Sequence, residues 1–115
     1  MNGGFLTTHV LDTANGVPAA GIKVELFRLE NGERVRLRST TTNPDGRTDT
    51  PLLPAEEFRV GTYELTFYVG EYFERGEEPL FLTEVPVRFG VSDAGSHYHV
   101  PLLVSPYSYS IYRGS

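Results

Sequence analysis

The chain has no cysteine, no tryptophan and a single methionine. Without cysteine there is no disulfide framework and no thiolate to act as nucleophile or ligand, an absence that suits a reducing compartment. Positive charge is also scarce. Ten Lys and Arg face fifteen Asp and Glu, for a formal net charge of -5 at pH 7. That balance argues against nucleic acid as the partner, because phosphate binding needs a basic patch. No run of like charge is long enough to form a tail. No apolar stretch approaches the roughly 20 residues of a membrane span, so no membrane partner is expected. The opening Met1-Asn2-Gly3-Gly4-Phe5 carries neither the basic region nor the apolar run of a secretory leader. The expected location is the cytoplasm.

What is present is the vocabulary of a small β domain. A chain of 115 residues fits one domain, residues 1–115, with room for a real core. Aromatics make up 12%, all Tyr and Phe, and twelve glycines and eight prolines supply turns. Phe5 to Asp12 alternates, with Leu6 and Val10 on one face and His9 on the other. Thr13 to Gly21 reads as a loop around Asn15-Gly16. Ile22 to Leu29 places Ile22, Val24 and Leu26 together, and Asn31-Gly32 is a hairpin turn signal. In Arg34 to Thr42, the residues Val35, Leu37 and Ser39 alternate against three arginines. After the turn Asn43-Pro44-Asp45-Gly46 comes Arg47, and Thr48 to Thr50 suggests a very short strand. Ala55 to Phe58 suits one helical turn. Gly61 to Val69 aligns Tyr63, Leu65, Phe67 and Val69, Tyr72 and Phe73 could anchor a short helix, and Glu84 to Val91 alternates again.

The last twenty residues read as a hairpin about Ser105-Pro106. Tyr98, Val100, Leu102 and Val104 share one face, and His97, His99, Pro101 and Leu103 share the other. Tyr107, Tyr109 and Ile111 are expected on the core side of the returning half. Seven or eight short strands with frequent turns predict an all-β, two-layer sandwich.

The chemistry-bearing residues are few. By strand parity His9, His97 and His99 all face outward, and an imidazole can act as a base near neutral pH. Arg47 offers a positive fork for an oxyanion or a planar heterocycle. Tyr112 and Ser110 add hydroxyls, and Arg113, Gly114 and Ser115 end the sequence. Each also has an ordinary structural reading. His97-x-His99 alone is too few ligands for a metal site, so no metal and no cofactor is expected. Ser110 lacks a His–Asp arrangement for a serine nucleophile.

Leu6-Thr7-Thr8-His9-Val10-Leu11-Asp12 with Gly16-Val17-Pro18-Ala19, Asp45-Gly46-Arg47, and Tyr98-His99-Val100-Pro101-Leu102-Leu103 followed by Ser105-Pro106-Tyr107-Ser108-Tyr109-Ser110 and Tyr112-Arg113-Gly114-Ser115 resemble the 5-hydroxyisourate hydrolases, the purine-degrading branch of the transthyretin-like proteins. The terminal Tyr-Arg-Gly-Ser is the most specific part, since hormone-carrying transthyretins share the Ser-Pro-Tyr-Ser-Tyr-Ser but not that ending. Ile111 stands where threonine is common in the family. The resemblance implies a transthyretin-like β-sandwich of two four-stranded sheets with one short helix, and a homotetramer built as a dimer of dimers. In it the outer faces of the first and last strands would meet and line a shared channel. It also implies hydrolytic opening of a small-molecule substrate, 5-hydroxyisourate, on the way from urate to allantoin. The roles it implies are His9, Arg47 and His99 as catalytic residues and His9, Arg47, Tyr112, Arg113, Gly114 and Ser115 as substrate-binding residues. A non-enzymatic carrier of hydrophobic ligands with the same fold is the alternative. Such a carrier would not require His9, His99 or the Tyr-Arg-Gly-Ser ending.

Overall fold

Period-two alternation becomes two packed sheets. The computed structural model describes residues 3–73, 76 and 79–114. Among the described residues the strands are β1 (Phe5–Asp12), β2 (Val17–Pro18), β3 (Lys23–Glu30), β4 (Glu33–Thr41), β5 (Gly61–Phe67), β6 (Val85–Val91), β7 (His97–Val104) and β8 (Tyr109–Ile111). A 3-10 turn at Ala55–Glu57 and one α-helical turn, α1 (Val69–Tyr72), complete the elements. The two four-stranded sheets run β2-β1-β7-β8 and β4-β3-β5-β6, the sandwich expected from the sequence.

Leu6, Val10, Leu102 and Val104 of the first sheet pack with Val24, Leu26, Tyr63, Leu65 and Phe67 of the second in one buried cluster. Each such side chain contributes about 1.5–3 kcal/mol through removal from water. Tyr63 is fully buried, and its hydroxyl is satisfied because it donates to the Arg59 carbonyl at 2.8 Å and accepts from Arg28 at 2.9 Å.

The parallel pairing of β1 with β7 positions the candidate site. It matches Phe5 with His97, Thr7 with His99 and His9 with Pro101. Alternation turns Leu6, Thr8 and Val10 inward, so their odd-numbered neighbours form a row on the outer face beside the two histidines of β7. The other edge of β1 has little strand partner, because β2 pairs only with Leu11 and Asp12. The segment after the Asn43 turn covers it instead. Val10 N donates to Gly46 O at 2.8 Å and Leu52 N to Leu6 O at 2.8 Å, with isolated bridges His9↔Arg47 and Leu6↔Leu53.

Several local expectations are corrected. The Thr13 to Gly21 loop contains β2, folded back by the turn at Gly16 (φ 69°). Thr48 to Thr50 is not a strand, since the segment touches β1 only at the two bridges. A bulge between Leu26 and Phe27 shifts the register of β4, pairing Arg38 with Leu26 and Arg36 with Phe27. The extra residue, Leu37, breaks the alternation expected across Val35, Leu37 and Ser39. Tyr107, Tyr109 and Ile111 are not core: they are 74%, 44% and 40% exposed. Tyr109 and Ile111 do lie on the inward side, opposite Val104 and Leu102. Yet β8 is a three-residue edge strand, and a crevice separates Ile111 from Phe89 of the other sheet.

Candidate active site

The site grows from the Asn43-Pro44-Asp45-Gly46 turn. Asn43 Oδ1 accepts from Asp45 N at 2.9 Å and Arg47 N at 3.1 Å, an Asx-type closure. Gly46 holds φ 75°, and a Cβ there would lie 2.4 Å from the Val10 carbonyl oxygen. Only glycine lets the turn press this closely on β1. The result places Arg47 next to His9 across their bridge. The His9 Nε2–H donates to the Asp45 carbonyl at 2.9 Å. A carbonyl only accepts, so this bond sets the proton of His9 on Nε2.

Across the β1–β7 pairing, Thr7 Oγ1 stands 2.8 Å from His99 Nδ1 and 2.7 Å from His97 Nε2. The His97 ring stacks on Phe5, with centroids 4.2 Å apart and planes 16° from parallel. Gly114 bridges to His99 and donates its N–H to the His99 carbonyl at 2.7 Å. A Cβ on Gly114 would sit 2.6 Å from His99 Cδ2, so the chain end packs against the edge of that ring. Thr7, Thr8, Arg47, Thr48, His97 and His99 line an open cleft of about 310 Å³.

Both inner histidines are held below their ordinary pKa. For His9 burial is the main cause and the Arg47 charge the next, partly opposed by the Asp45 carbonyl and carboxylate. For His99 burial leads again, followed by the Arg47 charge and by coulombic coupling to the neighbouring His97 and His9 rings, and opposed by the Thr7 carbonyl. Both rings are therefore neutral at pH 7, with a lone pair available to accept a proton. Among the described residues no three His, Cys, Asp or Glu side chains gather as a metal site.

Four of the residues singled out in the sequence come together here: His9, Arg47, His99 and Gly114. Tyr112 and Arg113 lie elsewhere, on a separate apolar crevice of about 130 Å³ with Phe89 and Ile111. The antiparallel register that pairs Leu102 with Ile111 continues to the His99↔Gly114 bridge. It sets Arg113 opposite Val100, on the inward side, where its guanidinium stacks 4.0 Å from the centre of the Tyr98 ring. Tyr112 is 56% exposed. Ser115 lies outside the described residues. Sequence reasoning passed over Thr7 and Thr48 and set His97 aside. The parity that turned His9 outward also turns Thr7 outward, and that was the available signal.

The profile of the HIUase/Transthyretin family matches residues 6–114. The chain is 57% identical over 116 residues to 5-hydroxyisourate hydrolase 2 of Rhizobium meliloti (strain 1021), covering 97% of each. The crystal structure of an (S)-allantoin synthase is similar with a TM-score of 0.91 at 47% identity, over 99% of this chain and 44% of that one. This chain thus spans less than half the length of that protein. The structure of Klebsiella pneumoniae 5-hydroxyisourate hydrolase is similar with a TM-score of 0.81 at 33% identity, over 97% and 99% of the two chains. With a family profile covering almost the whole sequence and the matching sandwich, this chain belongs to the HIUase/transthyretin family.

Proposed function

We propose that this chain is a 5-hydroxyisourate hydrolase, a single transthyretin-like domain over residues 1–115 that opens its substrate's ring with water. The product is 2-oxo-4-hydroxy-4-carboxy-5-ureidoimidazoline, formed in urate degradation to allantoin. The observation that carries this reading is the His99 imidazole and the Arg47 guanidinium lining one cleft, with His9 bridged to Arg47 beside it and both imidazoles held below their ordinary pKa, in a chain more than half identical to a hydrolase of that name.

Hydrolysis of a cyclic amide needs an activated water and stabilisation of the charge that develops on the carbonyl oxygen. His9 and His99 orient and deprotonate the water that attacks the C6 carbonyl. Arg47 holds the substrate oxygens and stabilises the oxyanion. No covalent intermediate is required. Tyr112, Arg113, Gly114 and Ser115 position the ring. Gly114 packs against the His99 ring within the chain, whereas Tyr112 and Arg113 face another crevice. Their part is best served in an assembly. The reading is therefore a homotetramer, a dimer of dimers, in which the outer faces of β1 and β7 are covered by another copy and the open cleft becomes an enclosed channel. Exposed Tyr107, Tyr109, Ile111 and Tyr112 on and around the edge strand β8 support self-association. A cytoplasmic location fits a chain without cysteine.

The test follows the ultraviolet absorbance of 5-hydroxyisourate generated in situ from urate. The wild type should speed its decay. His9→Ala, Arg47→Ala and His99→Ala should each lower kcat/KM by about 10²–10⁴-fold. Wild-type rates in all three would overturn the assignment, and a wild type without effect would favour the carrier reading. Light scattering should give the mass of four chains.

A further inference from the structure

We propose that Thr7 and His97 form a proton relay behind His99, which makes His99 the base of the cleft and gives Thr7 and His97 positioning roles. This rests on the hydrolase reading above and deepens it. The Thr7 hydroxyl lies 2.7 Å from His97 Nε2 and 2.8 Å from His99 Nδ1. A threonine hydroxyl has one proton to donate and lone pairs with which to accept. When it donates to one ring, the other ring must donate to it. The tautomers of the two histidines are thereby coupled through one oxygen.

The surroundings hold this chain of bonds in place. His97 is stacked on Phe5. Parallel pairing of β1 with β7 puts Thr7 directly beside His99. Gly114 closes the Cδ2 edge of the His99 ring. With Nδ1 committed to Thr7, Nε2 is the remaining nitrogen, and among the described residues nothing bonds it. Thr7 and both histidines of β7 line the cleft. Packing of the core does not call for this arrangement, because all three side chains lie on the outer face of the sheet.

In the resting state the Thr7 hydroxyl donates to His97 Nε2, His99 Nδ1–H donates to Thr7, and His99 Nε2 carries a lone pair. As the water oxygen bonds to the substrate carbonyl carbon, one water proton passes to His99 Nε2. The Nδ1 proton then moves to Thr7 Oγ1, and the hydroxyl proton of Thr7 moves to His97 Nε2. The net change is one proton from water to His97, with no change of oxidation state. His99 stays neutral beside Arg47, and the positive charge forms on His97, the more exposed of the two rings in the single chain. When the carbon–nitrogen bond of the substrate breaks, His99 gives its Nε2 proton to the departing nitrogen. The proton on His97 returns through Thr7 to Nδ1, and the starting state is restored.

The experiment compares Thr7→Val, Thr7→Ser and His97→Gln with the wild type in the absorbance assay, and reads the ring tautomers by nitrogen NMR on histidine-labelled protein. Thr7→Val and His97→Gln should lower kcat by on the order of 10–100-fold, with KM held within about twofold. Thr7→Ser keeps the hydroxyl and should stay within about threefold of wild type. In the wild type His99 should carry its proton on Nδ1, and Thr7→Val should move it to Nε2. Wild-type kcat in Thr7→Val, or a His99 proton on Nε2 in the resting wild type, overturns the relay while leaving the hydrolase reading standing. A wild type without turnover overturns the hydrolase reading and the relay together.

Discussion

Replacing Gly114 by alanine should disable the cleft without unfolding the protein. The added Cβ would sit 2.6 Å from His99 Cδ2, 3.3 Å from Cγ and 3.4 Å from Cβ. Carbon atoms in contact rest about 3.5–4.0 Å apart, so the ring must withdraw by roughly 1 Å. It cannot swing freely, because Nδ1 is tied to Thr7 at 2.8 Å and the His99 carbonyl to Gly114 N at 2.7 Å. A displacement of that size at a reacting group costs about 10²-fold, equivalent to about 2.7 kcal/mol of barrier. Residue 114 is half-exposed and follows the last strand, so the stability change should stay near 0.5 kcal/mol. The assay is kcat/KM from the decay of 5-hydroxyisourate, beside a thermal melt. Gly90→Ala is the control, since nothing lies within 4 Å of its added Cβ. Activity of Gly114→Ala within about threefold of wild type, or a loss matched by a collapsed melting temperature, would refute the reasoning.

Gly46→Ala should act through the fold. At φ 75°, with a Cβ 2.4 Å from the Val10 carbonyl oxygen, it should cost about 2–3 kcal/mol and lower the melting temperature by roughly 10 °C, with activity lost as Arg47 moves. Arg47→Gln should raise the pKa of both His9 and His99 toward the usual value, because its charge is one of the causes holding each down; histidine-ring NMR titration reads this directly. Asp12, Glu25 and Glu64 all titrate below their ordinary values. For Glu64 burial pushes upward, but bonds from Thr66, Arg34 and Arg88 outweigh it. A carboxylate depressed on folding adds stability above its unfolded pKa of about 4, and that stability is lost as pH falls through the folded value. Urea melts should therefore weaken below about pH 4, and Glu64→Gln should flatten part of that slope.

Much of the sandwich could be read from period-two patterns, because in β1, β5 and β7 the core residues recur at every second position. The positions of Leu6, Val10, Tyr63, Leu65, Phe67 and Leu102 follow from parity alone, and they are fully buried. Parity also turned His9 and His99 outward. What it could not show was Arg47 meeting His9, since that contact is a single bridge made by an irregular segment. The inward turn of Arg113 depends on register past the end of β8. The bulge at Leu37 leaves no mark in the alternation before it occurs. Glu25 reads as a solvated residue on the polar face of β3, yet it is 6% exposed. Arg36 and the Tyr68 hydroxyl cover its carboxylate and supply its bonds.

The side-by-side run of β1 and β7 ties together residues 92 positions apart, as in the bond from Thr8 to the Val100 carbonyl. While the polypeptide is being synthesised, the opening strand must wait for almost all the rest before its permanent neighbour arrives. Until then its apolar residues and unbonded amides stay open to other nascent chains. Truncation anywhere before residue 97 should leave that strand orphaned, and such fragments should clump rather than accumulate as free monomers.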